Sequence, residues 1–104
     1  MPASRPRSGD VPVLLFDRII AGTSGLLTPD TGVRELAQII ALLDQEGYHA
    51  IGITDLVLAR QHGAPLPERP VVLVFADAAS FMAMKVERAL PPSLARVEVL
   101  FTPA

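Results

Sequence analysis

Cysteine and tryptophan are absent from this chain of 104 residues, and tyrosine occurs once. Without a thiol there is no disulfide framework, no Cys-ligated zinc site and no thiol nucleophile, and the redox compartment is left open. Charge is sparse as well: nine basic residues stand against eleven acidic ones, together 19% of the chain. The net charge of -2 and the lack of any run of Lys or Arg argue against nucleic acid as a partner. Long apolar runs are missing too. No stretch approaches the roughly 20 residues of a membrane-spanning helix. The polar opening MPASRPRSGD leads into an apolar run too short for the roughly 7 to 15 residue core of a secretion signal. These absences predict a cytoplasmic protein with no transmembrane segment, residues 1–10 forming a flexible tail and residues 11–104 one domain.

What is present is enough apolar residue, half the chain, to offset the entropy of ordering it. Pro12 followed by Val13 to Phe16 predicts a buried strand, proline being tolerated at a strand's first position. Thr28-Pro29 predicts a helix N-cap and first residue. Val33, Leu36, Ala37, Ile40 and Leu43 then recur at helical spacing up to Gly47, which suits a left-handed cap with Tyr48 folding back on Leu43. Ala50 to Ile53 predicts a short strand, and Thr54 the cap of a second helix closed by Gly63. Val71 to Phe75, rich in β-branched residues, predicts a central strand buried on both faces. A third helix begins at Ala79 or Ser80 and stops before Pro91-Pro92, and Ala95 to Phe101 form the last strand.

The order β-α-β-α-β-α-β predicts an α/β fold with a parallel sheet and right-handed crossovers. Leu36, Ile40 and Leu43 are expected to face that sheet together with Val72 and Val74. Its open edges, above all the final strand with Val97, Val99, Leu100 and Phe101, predict self-association as a homodimer.

Ligands of parallel sheets gather at the carboxyl ends of the strands. Those positions hold Asp17, then Thr54 and Asp55, then Asp77, then Thr102. The carboxylates of Asp17, Asp55 and Asp77 together would suit a hard divalent cation. The plainer alternative makes Asp55 a first-turn acid favoured by the helix dipole, and Asp17 and Asp77 solvated loop acids. His49, opening a strand, and His62, closing a helix, are expected on the opposite side of the sheet, and their spacing is not that of two ligands on one helix face. Neither reaches Ser24 or Ser80 to form a triad. Gly22 to Gly25 is too short for a phosphate loop and lacks its lysine. Phe81, Met82, Met84, Val86 and Leu90 read as core packing.

Several segments in order carry a resemblance. The opening Val11-Pro12-Val13-Leu14-Leu15-Phe16-Asp17-Arg18-Ile19 is similar to a "vPVLmYHrI" start. Thr28-Pro29 to Gly47-Tyr48 follows like a "tpeeF…L…Gy" helix, Ile51 to Leu56 like "itl.dl", Leu66-Pro67 to Phe75 like "lP.kpvvlTFDDG", and Val97 to Thr102 like "atfFv". Together they resemble the polysaccharide deacetylases of the NodB type, metal-dependent enzymes that remove acetyl groups from N-acetyl sugars in polymers.

The resemblance implies roughly the first half of a distorted β/α barrel. It also places a general base at Ala76 and a metal ligand at Asp77, with a downstream H-x-x-x-H completing the metal site. Here the base position is alanine, no H-x-x-x-H follows, the opening histidine is Asp17 and the motif's glycine is Ala78. The expected function is therefore a non-catalytic deacetylase-like module with an assembly, regulatory or sugar-binding role, without cofactor. Its partners would be a second copy or a protein of polysaccharide synthesis or modification. The alternative is a deacetylase that holds a divalent metal, Zn or Mg, in a site completed by another subunit.

Overall fold

A computed structural model describes residues 11–22 and 30–101, so the tail 1–10, the Thr28-Pro29 pair, Ser24, Gly25 and Thr102 lie outside the described residues. The chain forms an α/β fold around a parallel sheet. Its strands and helices run β1 (Val13–Phe16), β2 (Ile19–Ile20), β3 (Thr31–Gly32), α1 (Val33–Gln45), β4 (His49–Ala50), α2 (Ile53–His62), β5 (Pro70–Phe75), α3 (Ala78–Ala83) and β6 (Glu98–Val99). Two 3-10 turns, Val86–Ala89 and Pro92–Leu94, lie between α3 and β6.

The strand β5 is the axis of the sheet, and all six of its residues are buried. One edge pairs with β1 from Val13 opposite Val72 to Phe16 opposite Phe75. The other edge is shared end to end. β4 takes Pro70 and Val71, and β6 takes Val74 and Phe75. The Arg69, Val71 and Phe75 carbonyls accept from His49, Ile51 and Leu100, which fixes these odd-numbered groups toward β4 and β6. Alternation then sends Val71, Leu73 and Phe75 to one face and Val72 and Val74 to the other.

The first face carries the main core: α1 lays Leu36 and Ile40 on Val71, Leu73 and Phe75, joined by Phe81, Val86 and Leu94. Phe75 stacks on Phe16 at 5.1 Å between ring centroids and meets Phe81 at 4.8 Å with the rings tilted. The second face is smaller, with Val11, Ile51, Leu56, Val72 and Val74 packed together. The expectation that α1 packs against Val72 and Val74 is therefore corrected: those residues point to α2, because a strand presents alternate residues to opposite faces. Leu43 does reach the α1 core, half-buried.

Local signals set most element ends. Gly47 sits at φ +78, its N–H bonded to the Asp44 carbonyl, while the Tyr48 N–H reaches the Leu43 carbonyl. This pair of bonds is a Schellman cap, as Gly47 foretold. Gly63 ends α2 in the same left-handed region. Tyr48 also takes the Arg69 guanidinium over its ring, 4.6 Å from the centroid. A hydrogen bond to Tyr48, more than the charge of Glu46, holds that guanidinium above its usual range.

Four boundaries depart from expectation. First, α1 starts at Val33 with Gly32 as N-cap, because Thr31 and Gly32 are extended and pair with Ile19 and Ile20. Second, β4 stops at Ala50, and α2 begins at Ile53 with Gly52, not Thr54, as its N-cap. Third, the predicted third helix is two pieces. α3 is capped by Asp77, ends at Ala83, and gives way at Lys85 (φ +53) to the turn that buries Val86. Fourth, the last strand is only Glu98–Val99. β1 is also less buried than expected: Val13 is 54% and Leu15 62% exposed.

Truncation should separate the two sides of α1. Leu36→Ala removes a side chain 1% exposed and should lower stability by about 2–5 kcal/mol. Leu42→Ala, at a position 57% exposed on the same helix, should change it by less than about 0.5 kcal/mol. Urea unfolding with an unchanged m-value measures both, and equal midpoints for the two variants would refute this assignment of faces.

Candidate functional site

The register of β1 on β5 sets the geometry at the carboxyl end of the sheet. With Phe16 opposite Phe75, the chain leaves both strands side by side, and the Ala76 N–H donates to the Phe16 carbonyl at 2.8 Å. Asp17 and Arg18 thus emerge beside Ala76 and Asp77 above the Phe16–Phe75–Phe81 stack. Asp17 is exposed. Arg18 pairs with Asp30 at 2.8 Å. That hydrogen bond and charge, with a smaller push from Asp77, hold its guanidinium above the usual range.

Asp77 is half-buried and serves the backbone. Its Oδ1 accepts from the Ala79 N–H at 3.2 Å as the N-cap of α3, and its carbonyl accepts from Phe81 N–H and from the Ser80 hydroxyl. The same hydroxyl accepts from the Ile19 N–H at 3.0 Å, so one oxygen fastens β2 to the first turn of α3. Phe101, 77% exposed, follows Leu100, whose carbonyl accepts from the Ala78 N–H, and so stands at this end of the sheet.

Asp55 lies elsewhere. Because β4 covers only the start of β5, its carboxyl end falls midway along the sheet, where β6 takes over the edge. There Asp55 Oδ2 accepts from the Gly52 N–H at 2.9 Å and meets Arg96 at 3.2 Å. Glu98 Oε1 accepts from the Ile53 N–H at 2.8 Å. Two carboxylates thus close the first N–H groups of α2, where the helix dipole favours negative charge. A Cβ on Gly52 would stand 3.2 Å from both Arg96 Nε and Glu98 Oε1, so the absence of a side chain lets β6 approach. Sequence reading missed Arg96 and Glu98, which act across more than forty residues.

The three aspartates proposed for a cation are therefore not brought together, and among the described residues no three His, Asp or Glu side chains converge as metal ligands. Among the described residues the donors do not assemble the divalent-metal site that the resemblance implies. His49 lies at the opposite end of the sheet, its Nδ1 2.8 Å from the Glu68 carbonyl, and His62 is the last residue of α2. A shallow cleft of about 310 Å³ between α1 and the Val86–Ala89 turn is lined by Ala37, Ala41, Asp44, Arg88 and Leu90. It shares no residue with the strand ends, and Ser93 already donates to Asp44 there.

No helix among the described residues is long and apolar enough to cross a membrane. No protein-family model, curated protein or solved structure matches the chain.

The roles of Asp77 and Ser80 can be checked by stability. Asp77→Ala should cost about 0.5–2 kcal/mol, and Asp77→Ser, which keeps a capping oxygen, only a few tenths. Ser80→Ala leaves the buried Ile19 N–H without its partner and should cost about 1–3 kcal/mol. Thermal unfolding reads all three, and an Asp77→Ala protein as stable as its parent would show that the cap contributes nothing.

Proposed function

We propose that the chain is a non-catalytic deacetylase-like module that acts by binding, with the carboxyl end of its parallel sheet as the contact surface. The observation that carries this reading is the state of the two positions following β5. Ala76 offers a methyl group where a proton acceptor would be needed, and the Asp77 carboxylate holds the N-terminus of α3. Hydrolysis of an amide needs a group to take a proton from the attacking water; Ala76 supplies none, and one oxygen of Asp77 is engaged as the cap of α3.

The same end of the sheet offers features suited to holding a polar ligand. Asp17 is exposed, Arg18 presents part of its guanidinium beyond Asp30, and Phe101 presents a ring. A carboxylate, a fork of N–H donors and an apolar face are the groups that hold a hydroxyl-rich ring, the first two by hydrogen bonds and the last by packing on its C–H face. This chemistry supports a sugar-binding role. A place beside polysaccharide synthesis or modification follows from the resemblance in the sequence motifs.

The test has two arms on one sample. Chitin oligomers and acetylated esters with Zn²⁺, Co²⁺ or Ni²⁺ should release no acetate. N-acetylglucosamine oligomers titrated into labelled protein should shift backbone resonances around Asp17, Arg18 and Asp77 saturably, and more weakly in Phe101→Ala. Metal-stimulated acetate release that disappears in Asp77→Ala would establish the alternative, a deacetylase.

A further inference from the structure

The edges of the sheet are unequal. On one side β4 and β6 are two residues each, the chain turns off between them at Gly52, and Glu98 is engaged with α2. Val97 and Val99 of the final strand pack inward on the main core. The other side is β1, four residues long and uncharged. Its Pro12 and Phe16 carbonyls accept from Val72 and Ala76 of the β5 segment, so even-numbered residues turn their peptide groups inward. Val13 and Leu15 therefore turn theirs outward, and among the described residues nothing pairs with them. Pro12 does not interrupt this outer row, because an N–H at that position would face β5.

Edges are ordinarily blunted by charge, by an outward proline, by a bulge or by brevity. Among the described residues, β1 uses none of these. Its outward groups also coincide with its uncovered side chains. Val13 and Leu15 lie on the face of Val72 and Val74, where α2 contributes Leu56 alone, and both remain more than half exposed. On the same side of the sheet α2 leaves Ile53, Val57 and Leu58 exposed.

We infer that two copies of the chain pair through β1, antiparallel, about a twofold axis at Leu14. In this register Val13 N–H donates to the carbonyl of the partner's Leu15, whose N–H donates to the Val13 carbonyl. The symmetric pair repeats the exchange. Every outward group of Val13 and Leu15 is met by the same two residues of the other copy. A register displaced by one residue would set outward groups against inward ones. The axis stands perpendicular to the sheet, so the same face of both copies stays on one side. Val13 packs beside the partner's Leu15 as a cross-strand pair, joining the exposed side chains into one apolar strip between the two copies of α2. The occupant is a second copy because the strand complements itself in hydrogen bonding, in apolar side chains and in lack of charge. The structure thus assigns self-association to the first strand, not to the final one that the sequence suggested.

Sedimentation from micromolar to millimolar concentration should show a reversible dimer. Leu15→Lys sets like charges across the axis at a site exposed in the single copy, and should weaken the dimer at least about tenfold. Leu42→Lys, at an exposed position of α1 on the other side of the sheet, should leave it unchanged. Because the chain has no cysteine, a single introduced thiol reports one contact. Leu14→Cys sits on the axis, where facing Cα atoms of a non-hydrogen-bonded antiparallel pair stand about 4.5 Å apart, within reach of a disulfide. It should oxidise to a covalent dimer, whereas Leu42→Cys should not. A monomer at every concentration, a dimer indifferent to Leu15→Lys, or a folded Leu14→Cys protein that does not cross-link while Leu42→Cys does would each overturn the inference.

Discussion

The rest of the structure depends on a single constraint at β5: both of its edges are hydrogen-bonded and both of its faces are covered. A strand in that position cannot carry a polar side chain without stranding it from water. Pro70 to Phe75 accordingly contains none, and all six residues are buried. Every other layer is placed by reference to it. β1 copies its register, α1 and α3 cover its odd-numbered residues, α2 covers its even-numbered ones, and the Phe16–Phe75–Phe81 cluster closes the core where the strand ends. Polar side chains are driven off the strand to the segment after it, where Asp77 is the first.

The second edge of β5 is divided between β4 and β6, and this division explains what the acidic residues do. A parallel strand that stops halfway must hand its place to another, and the chain leaving it starts a helix beside the newcomer. At Gly52 and Ile53 the opening N–H groups of α2 receive Asp55 and Glu98, and Arg96, just before β6, pairs with Asp55. Asp77 does the same service for α3. Carboxylates that follow strands suggest a cation site when read along the sequence. Here Asp55 and Asp77 complete helix ends, leaving Asp17 and Arg18 as the polar groups most open to a ligand.

Coverage of the sheet is one-sided. The α1 face gathers two helices and both 3-10 turns, whereas the α2 face holds one helix whose apolar residues do not gather on its inner side. Three strands of width with one thinly covered face leave β1 with an unpaired edge and uncovered side chains at the same residues. These two exposures are coupled, since peptide groups and side chains of Val13 and Leu15 are directed by the same alternation. Relief of one relieves the other.

Much of the fold was legible in the sequence wherever short-range physics decides the outcome. The α/β class, the buried character of Val71 to Phe75, the apolar face of α1 and the glycine caps at Gly47 and Gly63 follow from periodicity and from the low cost of positive φ at glycine. The candidate site was legible only as positions after strands: Asp17 and Asp77 do reach the carboxyl end together, on adjacent strands. What sequence could not supply was anything fixed by a distant partner. Gly52 displaced Thr54 as the cap of α2 because Glu98, forty-five residues away, supplies the oxygen for Ile53. Thr31 became extended because Ile19 was there to pair with it. Asp55 separated from Asp17 and Asp77 because β4 meets only the beginning of β5. Strand order and register decide which side chains share an end or an edge. They arise from pairing between remote segments, and no local spacing encodes that choice.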